Sequence, residues 1–322
     1  MAHTQIEAEI QKFQNWPRLL NSHFCIEPID EFGFVFRKSK DHFGQPIQLL
    51  VTALIHGDEV IGIESINHLL ANAINHKVSD YDDFGFLLCN VEAAIKHCRF
   101  IEFDLNRSFS TINNNSYEHQ RSCKISKIIK NTKFNLDLHQ TIEPSIKPFF
   151  VSAKDPFTIQ IANRLSADFP ILLLAEKSFS SSGKTLLEYV VHENKKGLVI
   201  EYGQKGFSQE KASALSKIIM QLNVILKNLE DPNLLLSKSI LTYQIVAIIS
   251  GSENSHLLPG FMSGVQISKN QILGYDAGKE LLSPSDGLLF FPKYENFAPG
   301  SSELCYIAEQ RLFSMDVKCD DL

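Results

Sequence analysis

His56-Gly57-Asp58-Glu59 sets an imidazole and a carboxylate three residues apart where an apolar stretch stops, so both can close on one cation from the entry of a helix. Neutral imidazole nitrogen and carboxylate oxygen are good zinc ligands, and a catalytic zinc site takes three protein ligands with one position left open. None of the other histidines has Glu three residues on. His139, directly after Leu136-Asp137-Leu138, offers a third ligand from a second strand end, and Asp137 beside it is either the carboxylate that takes its other ring proton and fixes the tautomer or a plain strand-end carboxylate. Glu201 ends the apolar run Gly197-Leu198-Val199-Ile200, where a carboxylate beside a metal-activated water serves as general base. Arg99 and Arg107 flank a short mixed stretch, and the guanidinium fork suits carboxylates and polarised carbonyl oxygens. Taken singly, each of these is an ordinary strand-end or surface residue; two histidine-bearing strand ends in one sheet shift that balance.

The elements that must hold these side chains follow from periodicity. Residues 47–55 are near-continuously apolar and β-branched, as in a strand buried on both faces; 61–74 read as a helix and 84–89 as the next core strand. Strand, loop, helix, strand is a βαβ unit, and ligands of such sheets sit at the carboxyl ends of the strands. Before it come a helix over 5–20 and a short strand at 33–36. Residues 108–121 are polar and Asn-rich and read as an exposed loop before a helix at 123–130. Further strands are expected at 134–138, 149–152 and 197–201, with helices at 156–165, 184–191 and 209–229. After Asp231-Pro232 the helix signals stop, leaving short strands at 244–249, 264–267, 287–291 and 304–308 split by turn residues. The expectation is an α/β domain over 1–235 and a small all-β domain over 236–322.

Composition excludes several classes. The chain has 322 residues, 44% hydrophobic and 21% charged, which is ordinary for a folded protein with a large core. A net charge of −6 without any run of five like charges argues against nucleic acid or anionic membrane as partner. The N-terminus is acidic where a secretory signal is basic, and no apolar run approaches the roughly 18 residues of a membrane span. The 6 cysteines form no C-x-x-C pair, which fits reduced thiols in a cytoplasmic protein. Gly183-Lys184-Thr185 is set aside as a phosphate loop, because Ser178 stands where the motif needs glycine.

Together the motifs resemble the aspartoacylase and succinylglutamate desuccinylase family of zinc carboxypeptidase-like amide hydrolases. That family runs H-G-x-E, an Arg eight residues before the Arg of D-[LM]-N-R, D-L-H and E-x-G. Here these are His56-Gly57-Asp58-Glu59, Arg99 with Asp104-Leu105-Asn106-Arg107, Asp137-Leu138-His139 and Glu201-Tyr202-Gly203, in the same order. The resemblance covers nearly the whole chain and is thinnest before residue 45 and in the Asn-rich loop. It implies an α/β fold with a mixed central sheet flanked by helices and a small C-terminal all-β domain. By the same resemblance His56, Glu59 and His139 bind one Zn²⁺ per chain, Glu201 activates the water at the zinc, Arg99 holds the oxyanion, and Asn106 and Arg107 clamp a substrate carboxylate. The implied reaction is hydrolysis of a small N-acyl amino acid.

Two departures bear on specificity. Aspartoacylase has a further Arg shortly before its catalytic Glu, whereas Glu188-Tyr189-Val190-Val191-His192 has none, and Cys89-Asn90-Val91-Glu92-Ala93 lacks the family's Gly-Asn-Pro. The acyl group, the amino acid and a homo-oligomeric state are therefore left open, as is the metal, since the ligand types also suit cobalt, manganese or iron. Two other readings stand beside the deacylase: a carboxypeptidase-like peptidase, and a non-catalytic metal or small-acid binder that would have no use for Glu201.

Overall fold

The computed structural model describes residues 2–75, 78–109, 115–174, 184–229, 239–294 and 303–314. In chain order the first elements are α1 (Ala2–Leu20), β1 (Cys25–Asp30), β2 (Gly33–Arg37), β3 (Ile47–Ala53), α2 (Ile61–Ala71), β4 (Phe84–Leu88), α3 (Val91–Ile95), α4 (Tyr117–Lys130) and β5 (Thr132–Thr141). They are followed by β6 (Phe149–Ser152), α5 (Pro156–Leu165), β7 (Ile171–Leu173), α6 (Leu186–His192), β8 (Lys196–Gln204) and α7 (Gln209–Lys227). The remainder is strand: β9 (Ser239–Ser250), β10 (Ser255–Leu257), β11 (Val265–Ile267), β12 (Ile272–Asp276), β13 (Lys279–Leu282), β14 (Gly287–Phe290) and β15 (Glu303–Ser314).

The chain divides into two compact units, one of residues 1–140 and 178–234, the other of residues 141–177 and 235–322. Residues 141–177 thus group with the C-terminal strands, and the boundary expected near Leu236 lies outside the described residues. In the first unit the sheet runs β1-β2-β4-β3-β5-β8. The β1/β2 and β2/β4 pairs are antiparallel, whereas β3 is parallel to both β4 and β5. The parallel strands are buried almost throughout, the expected fate of a strand covered on both faces. Phe34, Phe36, Phe84, Phe86 and Tyr81 pack ring on ring at the β2–β4 side. At Gly62 a Cβ would lie 2.8 Å from that of Ala53 and 3.1 Å from that of Leu138, so the missing side chain lets α2 sit directly on β3 and β5.

In the second unit β6 is parallel to β7 and β7 to β9, while β9, β15, β14 and β11 continue antiparallel. A separate antiparallel sheet holds β10, β12 and β13. The architecture is mixed α/β with a C-terminal β region.

One expectation needs correction. Residues 108–121 are not simply an exposed loop: α4 already starts at Tyr117, and Ser108, Phe109, Glu118 and Arg121 are buried. Residues 110–114, which include most of the Asn-rich run, lie outside the described residues, as do Gly183 and Cys319. The described cysteines are free thiols, and no described helix is long and apolar enough to cross a membrane.

Candidate metal and catalytic site

All the site residues singled out in the sequence lie in the first unit, at the carboxyl ends of β3, β5 and β8 and in the loop after α3. β3 stops at Ala53, and Leu54 turns the chain with a φ of 57°, a left-handed conformation that costs a branched residue about 1–2 kcal/mol. The turn delivers His56, and Glu59 follows just ahead of α2, its amide bonded back to the His56 carbonyl. His139 is near the end of β5, with Gln140 beside it.

Glu59 is the hub. Its Oε1 accepts from His56 Nδ1 at 2.7 Å and from Arg99 Nη1 at 3.1 Å, and its Oε2 accepts from His139 Nδ1 at 2.8 Å and from the Gln140 amide at 3.1 Å. The two imidazole rings are 5.1 Å apart and tilted by 69°. Ligand atoms of His56, Glu59 and His139 all lie within 4.8 Å of one another, and all three residues are buried. The outer nitrogens meet carboxylates: His139 Nε2 lies 2.8 Å from Asp137 Oδ2, and His56 Nε2 lies 3.2 Å from Asp104 Oδ1. Asp137 is itself fixed by the Thr52 hydroxyl at 2.8 Å.

The donor set fits a metal. Two Nδ1 atoms and a carboxylate converge, and each imidazole is backed from behind by a carboxylate that orients it, the arrangement typical of ligating histidines. Asp104 in this role was not assigned in the sequence, although it stands in the quoted D-L-N-R; nothing in linear spacing places it 48 residues away against His56. His56 Nε2 also lies 2.8 Å from Arg99 Nη2, so one proton decides its bond. A bare Nε2 accepts from Arg99, and an Nε2–H donates to Asp104.

The electrostatics follow from burial and crowding. Burial works to keep Glu59 protonated, but the adjacent His56 and His139 overcome it and hold the carboxyl well below the usual range. Burial disfavours the charged form of His139, yet Asp137 and Glu59 hold it well above the usual imidazole value. Asp104 is likewise kept ionised against its burial by His56 and Arg99.

Glu201, near the end of β8, is 8% exposed, and its Oε2 has no hydrogen-bond partner among the described residues. Burial pushes its carboxyl up to about 7, with the Glu59 charge adding to the shift and His139, His56 and Arg99 opposing it. A carboxyl poised near neutrality can both take and return a proton. Gln140 spans the site: its Oε1 accepts from the Ile61 amide at 3.0 Å, and its Nε2 donates to the carbonyls of Gln204 and Gly206 at 2.8 and 2.9 Å. The start of α2 is thereby tied to the end of β8.

Arg99 is 29% exposed at its side chain, so it faces the cluster and still reaches outward. Asn106 accepts from the Leu186 amide through Oδ1 at 2.9 Å, which leaves the amide nitrogen as its donor for a ligand, and Arg107 Nη1 donates to the Asn106 carbonyl at 2.8 Å. Lys205 is paired with Asp58 at 2.6 Å. Lys184 is brought beside the Arg107 loop by a parallel bridge to Ser108.

Gly57 is where two segments of the site meet. A Cβ there would lie 2.4 Å from Ala93 C and from Ala94 N and 2.6 Å from the Cys98 carbonyl oxygen, all backbone. Gly57→Ala is therefore expected to destabilise the protein by about 1–3 kcal/mol through overpacking, read as a lower denaturant midpoint. Because the Gly57 amide also donates to the Arg99 carbonyl, the same change should displace Arg99.

Comparison with known proteins gives the family. The sequence model of the succinylglutamate desuccinylase/aspartoacylase catalytic domain matches residues 45–226, more than half of the chain. The chain belongs to that family. It is 24% identical over 276 residues to a succinylglutamate desuccinylase of Pseudoalteromonas atlantica, covering 74% of this chain and 75% of the relative. Its fold is shared with a succinylglutamate desuccinylase of Vibrio parahaemolyticus, at a TM-score of 0.66 and 17% identity over 88% of this chain and 89% of the other. Murine aminoacylase 3 is similar too, at a TM-score of 0.64 and 16% identity over 83% and 97% of the two chains. Membership in the desuccinylase/aspartoacylase family agrees with a site whose residues all fall at strand ends and in one loop of the first unit.

Proposed function

We propose that the protein is a zinc-dependent deacylase that hydrolyses the amide bond of a small N-acyl amino acid, giving a carboxylic acid and an amine. The observation that carries this reading is the buried convergence of His56, Glu59 and His139 beside a buried Glu201 with an unpartnered oxygen, in a chain of the desuccinylase/aspartoacylase family. His56, Glu59 and His139 would hold the zinc, and a zinc so held supplies Lewis acidity and lowers the pKa of water from 15.7 towards about 7.

The chain's own residues do the rest. Glu201 Oε2 takes a proton from the attacking water and returns it to the leaving nitrogen, which its near-neutral carboxyl allows in both directions. Arg99 meets the negative charge that develops on the scissile carbonyl oxygen; its outward reach and its cation are suited to that. The Arg107 fork and the Asn106 amide bind the substrate carboxylate and set which bond lies over Glu201. Asp104 and Asp137 hold the two imidazoles in one orientation.

Elemental analysis after dialysis tests the reading, run with hydrolysis of N-acetyl and N-succinyl amino acids. About one zinc per chain is expected in the parent and none in His139→Ala, with release of free amine by the parent alone. A parent that takes up no divalent metal when supplied with it would remove the deacylase assignment.

A further inference from the structure

The loop from Arg99 to Arg107 carries the three residues given to the substrate, and its middle has neither helix nor strand to satisfy its backbone. Amides without a ladder need another acceptor, from a side chain or from water. Here one side chain provides it. Glu118, in the first turn of α4 and 0% exposed, accepts from the Ile101 amide at 2.6 Å through Oε1 and from the amides of Glu102 and Phe103, each at 3.1 Å, through Oε2. Asn90 Nδ2 adds a longer bond to Oε1 at 3.3 Å. Three successive N–H groups turned onto one carboxylate form an anion-binding concavity, filled by the protein itself.

The grip is mutual. The Tyr117 amide at the start of α4 donates to the Glu102 carboxylate, so loop and helix each supply an acceptor for the other's orphan donors. One turn further along α4, Arg121 donates to the carbonyls of Leu88 and Cys89 and forms a two-point pair with Asp30. The helix is thus locked to the end of β4 before it holds the loop. Glu118 sits between that anchor and the loop, with Arg99 two residues before the gripped amides and Asp104 one residue after.

We propose that Glu118 is a positioning residue for substrate recognition: its carboxylate holds the amides of residues 101–103 and so fixes Arg99 relative to Asn106 and Arg107. This rests on the deacylase reading. Gln in its place keeps the size but turns an N–H₂ group towards two of the donors, so the loop must shift. A shift near 1 Å at a substrate clamp costs on the order of 10²-fold in rate.

The test compares parent, Glu118→Gln and Glu118→Asp, each loaded with zinc, by KM and kcat per folded molecule on the best N-acyl amino acid and by hydrogen exchange of the amides of residues 101–103. The expected result is folded Glu118→Gln with parental zinc content, faster exchange at those amides, a raised KM and a kcat/KM lower by on the order of 10²-fold. Glu118→Asp, which keeps the charge, should recover part of the loss. A merely structural role would lower the unfolding midpoint but leave KM and kcat of the folded molecules at parental values, and that outcome overturns the proposal. Where Glu118→Gln does not fold, Glu118→Asp decides by the same constants. Should the parent hydrolyse no N-acyl amino acid, the proposed function falls by itself, and unchanged exchange of the amides of residues 101–103 in Glu118→Gln then overturns the anchoring as well.

Discussion

Glu201→Gln is expected to lower kcat by about 10²–10⁴-fold, the usual worth of a positioned general base, while zinc content stays at the parental level. Gln matches Glu in shape, so the buried end of β8 can keep its packing. What disappears is the ability of Oε2 to carry a proton. Glu201 is no ligand in the His56, Glu59 and His139 cluster, which is why chemistry and metal binding separate at this position. The pH profile gives a second reading of the same group. In the parent, activity falls as pH is lowered and the raised carboxyl of Glu201 takes up a proton; in Glu201→Gln the residual rate should lose that limb. Steady-state rates from pH 5 to 9 with metal analysis on the same samples check both. A variant with parental turnover would remove Glu201 from the mechanism.

Glu59→Gln is expected to do the reverse, removing the metal first and the activity with it. Both oxygens of Glu59 are in use, facing His56 Nδ1 and Arg99 on one side and His139 Nδ1 and the Gln140 amide on the other. An amide cannot accept at both ends, and its N–H₂ would face donors. Loss of an orienting partner outside the ligand set costs about 10–100-fold in metal affinity, so loss of a ligand should exceed that. The metal-free variant should also be less stable than the metal-free parent, by about 3 kcal/mol, because the remaining buried cationic groups lose their shared anion. Metal affinity of the parent should rise with pH, since Asp137 and Glu59 favour the charged form of His139 and a metal on its Nδ1 must displace the proton there. Titration with zinc at pH 6 and pH 8, and urea melts without metal, measure these effects.

How much of this was legible in the residues depends on the range of the interaction. The β3 run, the α2 start and the strand end at His139 are written in local apolar periodicity, and the four motifs that carry the chemistry are short enough to be read in one place. The start of α4 was not, because Ser116 as a cap and Glu118 as a buried acid look polar and exposed until the loop at 101–103 is folded onto them. Asp104 could be seen but not understood, since its partners His56 and Arg99 come from other segments. Residues 141–177 read as more α/β alternation, and their grouping with the C-terminal strands depends on pairings such as β7 with β9 that no window of sequence contains. The three-residue strands β10 and β11 are too short to carry a period, and of the two only β11 was anticipated, within the stretch 264–267.

Gln140 has a consequence for how this site can vary. It grips the turn after β8 only through the carbonyls of Gln204 and Gly206, groups that every amino acid possesses. The turn is therefore strict in count, and permissive in composition at Gln204 and Lys205 but not at Gly206, whose φ of 130° favours glycine. Side chains at 204 and 205 can be exchanged without touching the tether, but inserting or deleting one residue there would slide the carbonyls out of reach of an amide whose other end is fixed on Ile61. Variation in this corner of the molecule should accordingly take the form of substitutions and spare the chain's length.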